Sequence, residues 1–305
     1  MSTSIPMLEQ SAGRGAARAA ARRRKHQTQT SEGRRAGWVT YTILAIVVLG
    51  SAYPLYYSLQ LASSTASQIA QNPIPGLGLG GNLLENLQRV MDANINLPQA
   101  FVNSVIVAVV TSASVVLFST LAGFSFAKLR FRGRGPLLVF VIATMAVPTQ
   151  LGVVPLFIVM RELGLVGNLL AVILPGLVTA FGVFWMTQYL ESALPYELIE
   201  AARVDGASMI RTFWHIALPA ARPAAAMLAL FTFIGSWTNF FWPSIVLGTQ
   251  NPTLPVALQL LQASFFKDMS LIMAGVVISV IPLLVLFVIA GRQLVAGIMA
   301  GAVKG

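Results

Sequence analysis

Glu191, Glu197, Glu200 and Asp205 are four of the ten acidic residues in a chain of 305, and all four fall in the single stretch around EAARVDGASMIRTFWHIALP, residues 200–219. Clustered carboxylates can transfer protons, hold a metal or dock onto a charged partner. The first two uses need a nucleophile–base pair or a ligand cluster, and the sequence offers no convincing constellation of either kind. There is no cysteine, so thiol and disulfide chemistry is absent and the redox compartment stays open. The two histidines, His26 and His215, are far apart in sequence and read as ordinary solvated or capping residues. No GxxxxGK[ST] occurs, so the chain lacks the phosphate-cradling loop of that type.

The elements that must carry these carboxylates are legible in outline. Pro195 suits a first helical turn, ELIEAARV propagates a helix, and Gly206 can take the left-handed conformation that ends one. ASMIRTFWHIA then resumes with Met209, Phe213 and Ile216 on one side, and Pro219 is expected to close it. Ala201 and Ala202 would form a face small enough to enter a groove. Two readings of this helix-break-helix stand on the residues alone: a rigid knob presented to a partner, or an amphipathic element resting on a membrane surface.

The surroundings are those of a membrane protein. Hydrophobic residues make up 56% of the chain and charged residues 10%, too little charge for a soluble surface. Six segments without an ionisable side chain run approximately Trp38–Leu61, Phe101–Ala127, Pro136–Met160, Asn168–Tyr189, Ala224–Leu247 and Leu271–Ala290. Each is long enough to cross ~30 Å of hydrocarbon as a helix. None shows the strict alternation of a barrel strand. An all-α, polytopic fold with six spans is expected.

Of 20 basic residues, eight precede Trp38, four lie at Lys128, Arg130, Arg132 and Arg134, three at Arg203, Arg211 and Arg222, and two at Arg292 and Lys304. Only Arg89, Arg161 and Lys267 fall in the alternate loops. The positive-inside rule then puts both termini and the acidic loop in the cytoplasm. Residues 1–37 form a basic cytoplasmic arm ahead of an uncleaved first helix, suited to anionic lipid headgroups rather than nucleic acid. The longest outer loop, 63–100, ends in an apolar stripe of Leu83, Leu84, Leu87, Val90 and Met91 that fits interfacial packing or an external partner.

With no ionisable group in any span, a buried proton relay and a counter-charge for an ionic cargo are both missing. The neutral polar groups at membrane depth include Thr144, Thr149, Gln150, Thr179, Trp237, Thr238, Asn239 and Trp242. Amides, hydroxyls and indole faces suit a sugar, whose hydroxyls want donors and acceptors and whose C–H faces pack on rings. Interhelical hydrogen bonding by Gln150 and Asn239 accounts for them equally well. The substrate-pathway candidates are Gln150, Trp237, Asn239 and Trp242.

The pattern Glu200-Ala201-Ala202, then Asp205-Gly206, then Ile216, Leu218 and Pro219, resembles the EAA signature loop of the permease subunits of binding-protein-dependent ABC importers. Phe101-Val102-Asn103-Ser104, Leu174-Pro175-Gly176, Gly235-Ser236-Trp237, Phe241-Trp242-Pro243, Thr253-Leu254-Pro255-Val256 and the tail 297–305 are similar to the carbohydrate, maltose-type branch. Thr238-Asn239-Phe240 and Ile298-Met299 depart from that branch and leave the particular sugar open.

The resemblance implies a type I ABC importer permease fold over residues 38–305, in a bacterial cytoplasmic membrane, with a coupling loop at 190–222. It further implies a second homologous permease, two ATP-binding cassette subunits that carry ATP and Mg, an extracytoplasmic solute-binding protein and surrounding membrane lipid. On that reading this chain has no catalytic residue, binds no cofactor or metal itself, and docks through Glu200, Ala201, Ala202, Asp205, Gly206, Ile216, Leu218 and Pro219. Another neutral solute, glycerol phosphate as cargo, or a sodium-coupled carrier built on broken helices are the alternatives.

Overall fold

The computed structural model of the chain describes residues 37–72, 76–265 and 268–302, with side chains to residue 291. Residues 1–36 of the basic arm, Lys267, Lys304 and the Arg292 side chain lie outside what is described. Every regular element among the described residues is a helix. By its contacts the chain divides after Tyr57. The described part of the first unit is most of helix α1 (Trp38–Ala62), an apolar helix with Pro54 in its interior. The second unit, from Ser58 onward, holds the remaining helices.

Short helices α2 (Ala66–Gln71) and α3 (Leu83–Asp92) precede α4 (Leu97–Lys128). Thr65 and Gln68 form a reciprocal capping box at the start of α2. The polar character of 63–72 is thereby used locally. In α3 the apolar stripe is split: Val90 is buried whereas Leu84 and Met91 are exposed. Arg89 reaches across to Asp268, at 2.5 Å, just ahead of the last helix.

Helix α4 is built inside out by the standards of a soluble protein. Asn103, Ser104, Ala108, Thr111, Ser112, Ser119 and Gly123 are buried along it, while Val102, Val109, Phe118 and Leu121 face outward. That distribution fits a lipid solvent, in which large apolar side chains gain nothing by turning inward and small ones let backbones approach. Helix α8 (Ala180–Ala193) packs along α4, and a Cβ added at Gly123 would fall 2.7 Å from Met186 Cβ and 2.8 Å from the Thr187 nitrogen.

The six apolar segments are not all uninterrupted α-helices. The third divides into α5 (Arg134–Thr144) and, after a 3₁₀ turn at Thr149–Gly152, α6 (Val153–Glu162), with an 89° bend between the halves. Pro148 has no N–H for the carbonyl four residues back and biases Val147 out of the helical region. In the fourth segment α7 (Leu170–Ile173) passes through a 3₁₀ turn at Leu174–Gly176 before α8.

The fifth segment is not one helix to Leu247. Helix α12 (Arg222–Trp237) stops, and α13 (Phe241–Val246) restarts after Thr238–Phe240. Pro243 cannot donate to the Asn239 carbonyl, so a continuous helix would leave that oxygen unpaired. Helix α14 (Leu254–Ser264) and the long α15 (Met269–Ala302), which carries Pro282 without breaking, complete the fold. Among the described residues, four stretches are long and apolar enough to cross a membrane unaided, and the total reaches six when each bent pair counts as one span.

Gly123→Ala is expected to lower unfolding stability by about 1–3 kcal/mol, because the clash is with backbone and a Cβ that cannot move aside. Gly275→Ala, which meets the ends of Leu258 and Leu261, should cost less; thermal unfolding of both variants in detergent compares them. The Arg89–Asp268 pair adds a pH prediction. Burial pushes the Asp268 carboxyl up, but hydrogen bonds from Ser270, Arg89 and the Leu271 backbone, together with the charge of Arg89, outweigh it and hold the group below the usual carboxylate range. A depressed folded pKa means the tie is complete at neutral pH and is lost as pH falls from the ordinary carboxylate value through the lowered one. Amide exchange at the start of α15 should therefore quicken in that acidic window, and Asp268→Asn should remove the pH dependence.

Candidate functional site

The acidic stretch folds as two short helices that leave the ends of α8 and α12. Leu194 leads into Pro195, whose φ of −59° caps α9 (Tyr196–Val204), and Gly206 at φ +73° turns the chain. Few side chains adopt that φ without strain, which is the role a glycine is suited to here. Ser208 then caps α10 (Met209–Thr212), its Oγ accepting from the Arg211 N–H.

Pro219 does not close the second helix as the sequence reading expected. A π-turn over Phe213–Ala217 lets the Leu218 N–H bond to the Phe213 carbonyl five residues back, and Pro219 falls in the first turn of α11 (Leu218–Ala220). The widened turn absorbs the proline's missing donor. The bend, 76° between the 209–220 run and α12, comes at the Ala221–Arg222 junction.

Glu191, Glu197, Glu200 and Asp205 are all exposed, and none has an ion-pair partner among the described residues. Beside them Val204 is 87% and Ile210 73% exposed. Ala201 shares this outer side, but Ala202 is only 6% exposed and turned inward with Ile199. The small face expected of the two alanines is thus split, because neighbours on a helix point about 100° apart. Ile216, Leu218 and Pro219 are half-buried. The buried side of the segment joins one cluster containing Ile199, Phe213 and Ala217 with Phe124 of α4, Met186 and Leu190 of α8, and Leu228 of α12.

Lys128, which the charge count treats as one more basic loop residue, is 4% exposed. Its Nζ donates to the Glu191 carbonyl at 3.1 Å and lies 4.7 Å from the centre of the Tyr196 ring. Tyr196 Oη in turn donates to the Ala127 carbonyl at 3.2 Å. Glu191 and Ala127 lie in the last turns of α8 and α4, where carbonyls have no helical donor. The two helix ends are therefore capped by one Lys–Tyr pair that also fixes where α9 begins. A lysine in the last turn of a predicted helix is the sequence signal for such a cap.

The pathway candidates separate into two kinds. Trp237 is 2% exposed, donates Nε1 to the Ser279 carbonyl and packs between Phe233 and Phe101; Trp242 Nε1 donates to the Ala171 carbonyl. Both indoles are engaged in packing. Gln150 is exposed and Asn239 partly so, and neither side-chain amide has a hydrogen-bond partner among the described residues. Each sits at a helix break, Gln150 in the 3₁₀ turn and Asn239 between α12 and α13.

Two motifs far apart in sequence meet on the side of the fold away from the acidic segment. Asn103 Nδ2 donates to Asn251 Oδ1 and to the Pro252 carbonyl, each at 2.8 Å, and the Leu254 N–H donates to Ser104 Oγ at 2.7 Å. Asn251 Nδ2 continues to the Gly167 carbonyl. This clasp pins the 247–254 connection against α4.

An all-helical bundle with bent spans, and an exposed acidic knob sewn to three of them, is the arrangement of a polytopic membrane protein. The model of the family described as "Binding-protein-dependent transport system inner membrane component" matches residues 116–297, and the chain belongs to that family. It is a multi-pass protein of the inner membrane. The arabinooligosaccharides transport system permease protein AraQ of Halalkalibacterium halodurans is 36% identical over 206 residues, 67% of this chain and 74% of that one. The lactose transport system permease protein LacG of Rhizobium radiobacter is 31% identical over 87% of this chain and 96% of its own. A chain of a bacterial ABC transporter involved in import of the acidic polysaccharide alginate superposes with a TM-score of 0.71 at 23% identity, over 83% of this chain and 94% of that chain, and shares the fold.

Lys128→Met should remove the carbonyl cap and the ring contact together, at a cost of about 1–3 kcal/mol locally. The expected readout is faster amide exchange across Tyr196–Val204 with the 97–115 part of α4 unchanged; Lys128→Arg, which keeps a donor and a cation, should retain much of the protection.

Proposed function

We propose that the chain is a permease subunit of an ATP-driven importer that passes a sugar across the cytoplasmic membrane, with both termini and residues 190–222 in the cytoplasm. The observation that carries the cargo reading is the likeness, over most of the chain, to permeases named for lactose and arabinooligosaccharides. The spans agree with it: free amides at Gln150 and Asn239, and no ionisable side chain, favour a neutral, hydroxyl-rich solute. The osmoprotective compounds uptake permease GgtD of Synechocystis, 37% identical over 68% of this chain and 70% of its own, favours a second reading in which the cargo is another small neutral solute.

In the mechanism, the 196–220 segment docks in a groove of a separate ATPase subunit, one of two, on which ATP and Mg act; this chain holds no cofactor or metal. A second, homologous permease completes the pathway and an extracytoplasmic binding protein delivers the solute. Glu200 and Asp205 supply unpaired carboxylates to basic or donor groups of the groove, Ala201 permits close approach, and Gly206 sets the angle between the two short helices. Ala202, Ile216, Leu218 and Pro219 act from behind, tying the docking surface to the bundle. Closure of the ATPase pair then moves α8 and α12 through the shared apolar cluster. Gln150 and Asn239 line the path, while Trp237 and Trp242 hold the helix breaks that shape it.

Glu200→Arg should reduce ATP-driven uptake by roughly ten-fold or more in proteoliposomes of the assembled transporter, following the ~2 kcal/mol or larger loss when one side of a desolvated charge pair is removed. Gly206→Pro, whose ring forbids a φ of +73°, should do the same. Assembly is checked by co-purification, and unchanged uptake in both variants would contradict the coupling role.

A further inference from the structure

We propose that the chain carries a binding site for one anionic phospholipid, set between the second half of α4 and the start of the 209–220 run. A cavity of about 410 Å³ lies there, walled by Leu117, Leu121, Phe124, Ile210, Phe213 and Trp214. Its walls offer almost nothing polar. Ser125 also lines it, but its Oγ donates to the Leu121 carbonyl at 2.9 Å and is already used. A hydroxyl-rich solute would find no partners in such a space, whereas a hydrocarbon chain needs none.

The depth of the cavity matches one leaflet. Its α4 wall runs from Leu117 to Leu129, about 18 Å at 1.5 Å per residue. Half of a ~30 Å hydrocarbon core is about 15 Å. At the Leu129 end the chemistry changes abruptly. Arg130 follows Leu129 and Arg211 follows Ile210, with Arg132 close behind; all three are exposed, and none has an acidic partner among the described residues. Trp214, another wall residue, is 49% exposed, and its Nε1 has no hydrogen-bond acceptor among the described residues. A part-exposed indole beside basic residues suits the headgroup level, where membranes favour tryptophan.

The two halves of the site therefore ask for one molecule: an acyl chain in the apolar cavity and a phosphate against unpaired guanidinium groups. Basic pockets between membrane helices recognise anionic headgroups in this way. A protein surface is a poorer occupant, because covering Arg130, Arg132 and Arg211 would bury three charges that nothing on this chain compensates. The site requires that α4 spans a bilayer and that the 210–214 side of the 196–220 segment faces the membrane while its 200–206 side meets the ATPase; it is independent of the cargo.

The assembled transporter in phosphatidylcholine nanodiscs, containing a small equal fraction of either phosphatidylglycerol or phosphatidylcholine with a diazirine in the acyl chain, provides the test. After irradiation, mass spectrometry should find adducts at 117–125 and 210–214, with phosphatidylglycerol exceeding phosphatidylcholine by about five-fold or more, as expected for even one arginine near a headgroup. Arg130→Gln, Arg132→Gln and Arg211→Gln together should bring the two yields together, and lysine at all three positions should restore the difference. Leu121→Trp, which fills the cavity and changes no charge, should abolish adducts at 210–214 with either lipid. Equal labelling by the two lipids in the unaltered chain overturns the proposal. So does labelling that avoids both segments while marking the rest of the chain, the result expected if another subunit covers this face, and so does labelling that survives Leu121→Trp.

Discussion

A polar backbone group inside hydrocarbon has no water to turn to, and the arrangement of this chain follows from that constraint. It explains why α4 buries Asn103, Ser104 and a row of small residues while exposing Val109 and Phe118. It also explains why helix ends receive so much structural attention. The last carbonyls of α4 and α8 are met by Tyr196 and Lys128. The first N–H groups of α8 and α10 are met by Thr179 and Ser208. The connection ahead of α14 is held by the amide and hydroxyl of α4. The Thr179 and Ser208 caps are local, but the Lys128, Tyr196, Asn103 and Ser104 bonds each fasten an end to a different element, so satisfying those backbone groups also fixes the tertiary structure.

Helix breaks obey the same logic and place the free polar groups. Prolines 148 and 243 each deny a carbonyl its donor, and the chain bends instead of leaving a strained straight helix. The amides of Gln150 and Asn239 sit at these bends without hydrogen-bond partners among the described residues, whereas the indoles of Trp237 and Trp242 are committed to carbonyls of neighbouring helices. Discontinuous helices that border a solute path are a recurrent device in membrane transport, because irregular backbone is tolerated where it lines a cavity. On the proposed reading, the amides are what a passing solute would meet.

Much of this was readable from residue types. Apolar runs without charge marked the membrane segments, and Gly206 marked the turn between two short helices. The EAA pattern pointed to the family that the comparison over residues 116–297 also gives. What sequence could not express was direction. Ala201 and Ala202 look identical in a string, yet one faces solvent and the other the bundle. Lys128 counts as a loop charge until the ends of α8 and α9 are placed around it. Proline positions warned of bends but not of their size, since Pro282 is carried through α15 while Pro148 accompanies an 89° turn. The outcome depends on whether neighbours can absorb the missing bond, as the π-turn does for Pro219.

The location of that π-turn bears on how a push on the acidic knob would travel. Phe213, its first residue, is buried against Phe124 at 5.9 Å between ring centres and belongs to the cluster shared by α4, α8 and α12. The knob is therefore not hung on flexible loops. Its inner face is part of the same packed core as the spans, and a packed core shifts between discrete arrangements more readily than it compresses. On the proposed reading, displacing α9 by even an ångström or two moves Ile199 and Phe213 against Met186 and Leu228, and the bent junction at Ala221 turns that displacement into rotation of α12. The break before Asn239 lies at the far end of that same helix, so on this reading a single helix joins the bent junction at Ala221 to the polar bend.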